Sequence, residues 1–227
     1  MTAEKFERIK NYGIIPVIKI SEIDKAVPVA QALISGGLNI AEINPATDCA
    51  AKAAKKISAA FPDMLLLIEE NNFNLTEEQM KTESIETLNI PEEYIINREF
   101  DKIKELAASE VRKMLGYDLA HLVINCENTE QAERDSSKIE SLFGLKKSDA
   151  GTSIANADIL HFMKSKSYGK NGQIAICTNF IERAVFYLKE AKKEFIEESA
   201  RFDEEGNLIS IYLDNIVGGF AIKLVRK

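Results

Sequence analysis

The chain of 227 residues has no tryptophan, only two histidines and three cysteines, and no excess of basic charge. Each shortage excludes something. Cys49, Cys126 and Cys177 stand far apart and form no Cys-x-x-Cys pair. That excludes a disulfide framework and a zinc ribbon, and leaves buried thiols acting as small apolar groups as the simplest reading. The 29 basic side chains are outnumbered by 36 acidic ones, so no basic face is expected to displace counterions from nucleic acid. No run reaches the roughly 18 apolar residues of a membrane span. The stretch from Met1 to Arg8 mixes charges and lacks the apolar segment of a secretory signal. A cytoplasmic protein with no nucleic-acid or membrane partner is therefore expected. With 45% hydrophobic and 29% charged residues the chain can bury a real core.

What is present is a duplication. His121-Leu122-Val123-Ile124 recurs as Gln173-Ile174-Ala175-Ile176 at an offset of 52, and Glu130 and Ala132 fall on Glu182 and Ala184 in the same register. A second offset of 62 carries His161 onto Lys223. The ten-residue difference implies an extra loop or strand in the second copy. Each copy reads strand, helix, strands: 119–126, 129–143, 152–156 and 158–164 in the first, and 173–178, 180–190, 194–199, 208–213 and 219–226 in the second. Asn171-Gly172 and Gly218-Gly219 are turn signals, and Glu204-Glu205-Gly206-Asn207 suits a hairpin loop. Two such halves place His121, Gln173, His161 and Lys223 around one pseudo-twofold cleft.

The front of the chain has a different period. Strand-like runs start at Ile14, Asn39 and Met64, 25 residues apart, with helical patterns at 23–35 and 47–60 between them. Apolar strands alternating with helices signal a parallel sheet. Pro28 falls inside the first helical pattern, where a proline should kink or shorten it. From 69 to 110 twelve acids face four bases. Tyr94-Ile95-Ile96 reads as a fourth strand, and Phe100 to Leu115 as an amphipathic helix closed by Gly116. The fold class is thus an α/β part with an incomplete β/α-barrel-type parallel sheet (1–118), followed by an α+β part of paired βαβββ type (119–227). Four parallel strands leave open edges. A homodimer is expected, with 69–93 capping an edge or partly disordered.

At this point a resemblance can be stated. Gly13-Ile14-Ile15-Pro16-Val17-Ile18-Lys19, Ala32-Leu33 before Gly36-Gly37, Ala41-Glu42-Ile43 and the helix from Phe100 to Val111 resemble the 2-keto-3-deoxy-6-phosphogluconate/4-hydroxy-2-oxoglutarate aldolase family. The run Gly169 to Ile176, Ile181-Glu182-Arg183-Ala184-Val185 and Gly218-Gly219-Phe220-Ala221-Ile222 resemble a vicinal oxygen chelate (glyoxalase-like) domain. The aldolase resemblance implies a (β/α)8 barrel, a Schiff-base lysine on a middle strand, a glutamate as acid/base carried onto Glu42, and a substrate contact at Thr47. The segment for that lysine has no counterpart, and Ala46 stands at the arginine position. Lys19, at the end of the first strand, is the remaining catalytic candidate beside Glu42; an ion pair between the two is the plainer reading.

The chelate resemblance implies a divalent metal held by His121, His161 and Gln173, with Lys223 at the fourth position, where an ammonium is no ligand. Without a metal, the same cleft suits a small anion, with Lys223 as counter-charge. Tyr168, Tyr187 and Tyr212 read as core or rim aromatics. Three functions stand open. One is a small-molecule-binding protein derived from an aldolase, with an incomplete Schiff-base site and no cofactor in its front part. Another is an active aldehyde-lyase releasing pyruvate. The third is a metal-dependent glyoxalase-type enzyme. The ligand expected in each is a small 2-oxo acid or aldehyde.

Overall fold

The computed structural model describes residues 2–46, 48–68 and 75–227. The chain forms two compact units, Met1–Met114 and Leu115–Lys227; the sequence reading put the division at 118/119.

The first unit is built on four parallel strands. They are β1 (Ile14–Ile18), β2 (Ile40–Ile43), β3 (Leu65–Leu67) and β4 (Glu86–Asn89), in the order β3-β2-β1-β4. The first three are short apolar runs buried on both faces, as parallel strands covered by helices are. Around them lie α1 (Ala3–Tyr12), α2 (Ala26–Ser35), α3 (Ala50–Ala60), α4 (Glu77–Thr82), α5 (Glu92–Ile96) and α6 (Phe100–Leu115). Pro28 is accommodated because a 3-10 turn at Ile23–Lys25 precedes α2. That puts the proline in the first helical turn, where a missing N–H costs nothing. Gly36 closes α2 against α6; a Cβ there would lie 2.6 Å from the Ala107 Cβ and 2.7 Å from the Lys104 carbonyl oxygen.

The fourth strand corrects the sequence reading. Tyr94-Ile95-Ile96 belongs to α5, and the strand is Glu86–Asn89, inside the acidic stretch. Pro91 starts α5, and Glu92 and Glu93 in its first turn suit the helix dipole. β4 carries no apolar signal because three of its four side chains are exposed. Its place comes from its backbone ladder to β1, from Ile14↔Glu86 to Val17↔Asn89. In a closed β/α barrel the last strand lies beside the first, and β4 has that position in an open sheet.

The second unit holds one eight-stranded sheet made of two βαβββ copies. The first copy is β5 (Asp118–Asn125), α7 (Thr129–Phe143), β6 (Lys147–Asp149), β7 (Ser153–Asn156) and β8 (Leu160–Met163). The second is β9 (Gly172–Thr178), α8 (Ile181–Glu190), β10 (Phe195–Phe202), β11 (Leu208–Val217) and β12 (Phe220–Arg226). The order β10-β11-β12-β9-β5-β8-β7-β6 is symmetric about the β9–β5 pair. β5 runs parallel to β8, β9 parallel to β12, and β5 antiparallel to β9. Each copy has three strands after its helix, so the first has one more than the sequence suggested. The second copy is longer because β10 and β11 have 8 and 10 residues against 3 and 4 in β6 and β7.

Both sequence offsets are built into the pairing. Leu122 pairs with Ile174, and these differ by 52, so the pseudo-twofold axis passes through that pair. Leu122↔Leu160 in one copy matches Ile174↔Ile222 in the other, which reproduces the offset of 62. Gly218-Gly219 forms the two-residue turn between β11 and β12, with φ of 58° and 81°. Asn171-Gly172 is no hairpin turn: Gly172 opens β9 itself. Cys126 is buried against Ala132, Ile154 and Phe162, whereas Cys49 and Cys177 are half-buried.

Candidate functional site

In the first unit Val17 and Glu42 are register partners, so Glu42 shares a sheet face with Val17 and, two residues on, Lys19. Lys19 Nζ lies 2.6 Å from Glu92 Oε1, a partner the sequence reading did not name, and both side chains are exposed. Such a pair contributes little stability, but it occupies the amine with a carboxylate. Thr47 lies outside the described residues.

The second unit brings its four predicted residues onto one face. Val123 pairs with both Gln173 and His161, and Ala175 pairs with both His121 and Lys223. Cross-strand partners point to the same side of a sheet. Two rows result. One runs Tyr212–Lys223–Ala175–His121 across β11, β12, β9 and β5. Its pseudo-twofold counterpart runs Ala155–His161–Val123–Gln173 across β7, β8, β5 and β9.

The rows differ in how their polar groups are used. His161 has both ring nitrogens engaged: Nε2 donates to the Asp158 carbonyl at 3.3 Å, which leaves Nδ1 to accept from Ser153 Oγ at 3.3 Å. Gln173 is buried; its Nε2 donates to Ser167 Oγ at 2.7 Å and its Oε1 accepts a short bond from the Tyr212 hydroxyl. Tyr212 also stacks on Tyr168 with ring centroids 4.3 Å apart, and burial pushes its phenol up to about 12. The other row has two unoccupied functional groups. Among the described residues His121 has a ring contact with His161 at 4.9 Å and no hydrogen bond, while Lys223 Nζ sits 5.4 Å from the Tyr212 ring centroid with no carboxylate or carbonyl partner.

Electrostatics follow from that arrangement. Burial, then the charges of His161 and Lys223, push His121 below the ordinary imidazole value of 6.5. Burial, then Arg201, lower the Lys223 ammonium from 10.5. Arg201 is the register partner of Ser210, two residues from Tyr212 on the same face. Folded His121 holds its proton less tightly than the unfolded chain does. The second unit should therefore be most stable above pH 6.5 and lose stability as pH falls from there through the folded value. His121→Gln, which copies its pseudo-equivalent Gln173, should flatten that loss. Urea titrations at pH 7.5 and 5 check it; parallel losses in both proteins would refute the assignment.

These residues do not fit a divalent cation. A metal-bound imidazole must present a free lone pair, and both nitrogens of His161 are hydrogen-bonded. The Gln173 oxygen already accepts from Tyr212, and Lys223 adds positive charge. Among the described residues no three or more His, Cys, Asp or Glu side chains are grouped for a metal ion. Sequence reasoning missed Ser153, Ser167 and Arg201, and placed Tyr212 among core or rim aromatics. The offset of Tyr212 from Lys223 across one hairpin was the only signal pointing to it.

With the geometry in place, the N-terminal segment of the chain proves similar to a known aldolase family. The KDPG and KHG aldolase family matches residues 6–71. The 2-dehydro-3-deoxy-phosphogluconate aldolase of Dickeya dadantii is 38% identical over 61 residues, covering 26% of this chain and 29% of that protein. The chain thus spans about three tenths of the length of that relative. Two solved structures are similar. One is a KDPG aldolase from Legionella pneumophila with pyruvate captured as a covalent carbinolamine (TM-score 0.37, 15% identity, 44% of this chain, 95% of that one). The other is a methylmalonyl-CoA epimerase from Streptomyces coelicolor (TM-score 0.35, 10% identity, 48% and 96%). Among the described residues no helix is long and apolar enough to cross a membrane.

Proposed function

We propose that this protein binds a small anionic metabolite on the polar sheet face of its second unit, and that its aldolase-like first unit does not run aldol cleavage. The observation that carries this is the pair of unengaged cationic or titratable groups, Lys223 and His121, beside Arg201. Among the described residues Lys223 and His121 have no carboxylate within ion-pair or hydrogen-bond reach. A face lined by one sign of charge concentrates small ions of the other. The ligand class is a carboxylate of a few carbons. In the first unit, an amine that forms a Schiff base must be desolvated or set beside another cation, and Lys19 is exposed against Glu92.

The chain should release no pyruvate from a 4-hydroxy-2-oxo acid above background. Turnover abolished by Lys19→Ala would reverse this in favour of a surviving lyase. Purified protein should carry a metal content near zero that His121→Ala leaves unchanged; stoichiometric nickel or zinc lost in that variant would instead support a glyoxalase-type centre. Binding is read from the ring resonances of the two histidines. Lactate should shift His121 saturably, and Lys223→Met should abolish the shift. No saturable shift with lactate or pyruvate would overturn the anion site.

A further inference from the structure

We propose that Lys223 is a nucleophilic amine that condenses with the carbonyl carbon of a small oxo-carboxylate, with His121 carrying the proton. This rests on the anion-site reading above and names the substrate class. It begins from an asymmetry between the two rows. The pseudo-equivalents of Lys223 and His121 are His161 and Gln173, and both are tied down by hydrogen bonds. The other half leaves its two groups unengaged among the described residues. Elsewhere in the unit, Lys138, Lys147, Lys164 and Lys189 sit 2.7–3.0 Å from carboxylates, Lys227 donates to the Gly116 carbonyl, and Lys166, Lys170, Lys192 and Lys193 are exposed to solvent, whereas Lys223 is half-buried. A half-buried ammonium with no counter-ion is costly, so its retention on this sheet face calls for a use.

The surroundings suit a neutral amine. The Tyr212 ring beside Nζ is fixed from three sides, since its hydroxyl donates to Gln173, its face stacks on Tyr168 and its backbone N–H donates to Ser199 Oγ at 2.9 Å. That ring covers one side of the half-buried Lys223 side chain. Arg201 is the nearby cation, and burial and Arg201 both weaken the hold of Lys223 on its proton. Desolvation and a neighbouring cation are the two means by which proteins make a lysine nucleophilic at neutral pH. Ala175 separates Lys223 from His121 along the row with only a methyl group. Their backbones are two strand spacings apart, about 10 Å, and both side chains extend over the same face, so a molecule of a few carbons reaches both. Arg201, whose Nη1 donates to the Ala200 carbonyl at 3.1 Å and the Glu198 carbonyl at 3.5 Å, adds positive charge near Lys223 that favours a carboxylate.

The step balances without a further reagent. The amine lone pair forms a C–N bond as the carbonyl π pair moves to oxygen. The proton shed by nitrogen passes through His121 to that oxygen. The hydroxyl then takes a second proton, the one the ammonium gave up to His121 before the attack, so the C–O bond breaks, water leaves and a protonated imine remains; overall, ketone plus ammonium becomes iminium plus water. His121 suits the transfer because its ring has no hydrogen-bond partner among the described residues and lies on the same face, so a nitrogen is open to take and return a proton.

The test is borohydride reduction of the full chain in pyruvate, followed by intact-mass and peptide-mass analysis. A single reduced adduct on Lys223 is expected. It should saturate with pyruvate, be absent with lactate, and vanish in Lys223→Met and Lys223→Arg. His121→Gln should slow trapping by about tenfold or more. Adducts scattered over many lysines and unchanged in Lys223→Met would overturn the proposal, and so would a single adduct on Lys19. Lys223→Arg keeps charge and bulk, so lactate should still shift the His121 resonance in that variant while trapping is lost; trapping that survives there refutes the role of Lys223. Lactate binding with no adduct sinks the covalent step alone, whereas neither signal sinks the anion site as well.

Discussion

Replacing Gly172 by alanine is expected to cost the second unit at least about 3 kcal/mol, the size of a severe core lesion. Gly172 sits at the start of β9, opposite Ile124 on β5, with φ of 133°. An added Cβ would lie 1.9 Å from the Val123 carbonyl oxygen and 2.8 Å from its carbon. These are backbone atoms of the central strand, so no rotamer change relieves the overlap. The φ value is itself one that side chains with a Cβ rarely adopt. The damage falls two residue pairs from the pseudo-twofold axis, next to Gln173, and three residue pairs from the His121 row. Far-UV circular dichroism with urea, together with amide exchange on β5 and β9, should show the loss. A midpoint equal to that of the parent would mean that the β5–β9 contact yields more readily than its geometry implies.

Asn156→Leu should be the second large effect, on the order of 3 kcal/mol. Asn156 is fully buried on β7 and has no exposed atom to offset a lost bond. Its Nδ2 donates to the Ser136 carbonyl at 3.2 Å and to the Leu145 carbonyl at 2.8 Å, and its Oδ1 accepts from Ser136 Oγ at 2.7 Å. One amide thus ties α7 and the loop after it to the sheet. Leucine has nearly the same shape but would leave the Leu145 carbonyl and the buried Ser136 hydroxyl without this partner, and strip the Ser136 carbonyl of its bond beyond the α7 ladder. Asn156→Asp would keep the acceptor and lose the donors, and should be about as damaging. Loss of protection in α7 before the rest of the unit would identify the cause. Uniform behaviour with wild-type stability would refute it.

The same two sites show what could be read in advance. Nothing in Asn171-Gly172 distinguishes a turn from a glycine pressed against a strand, because the distinction is made by Val123, 49 positions away. Asn156 reads as an ordinary polar residue at a strand end, and its partners lie on a helix and a loop. The two repeat offsets, by contrast, were fully legible. They specify which residues are equivalent, and a symmetric sheet can satisfy both only with Leu122 against Ile174 on the axis. The face shared by His121, His161, Gln173 and Lys223 follows from that alone. Which of them is engaged does not, since Ser153, Ser167 and Tyr212 reach the row from other elements.

Taken by itself, the order of residues determined the division into a parallel α/β part and a duplicated α+β part, the position of most helices, and the four side chains that share a face. These are properties of local periodicity and of repetition, which the chain carries at short range. Tertiary structure alone decided that the fourth parallel strand is the polar Glu86–Asn89, that Lys19 meets Glu92, and that Lys223 has the Tyr212 ring beside it and no counter-ion among the described residues. Each of those depends on a backbone ladder or a charge contact between segments distant in sequence, where no local pattern records the partner.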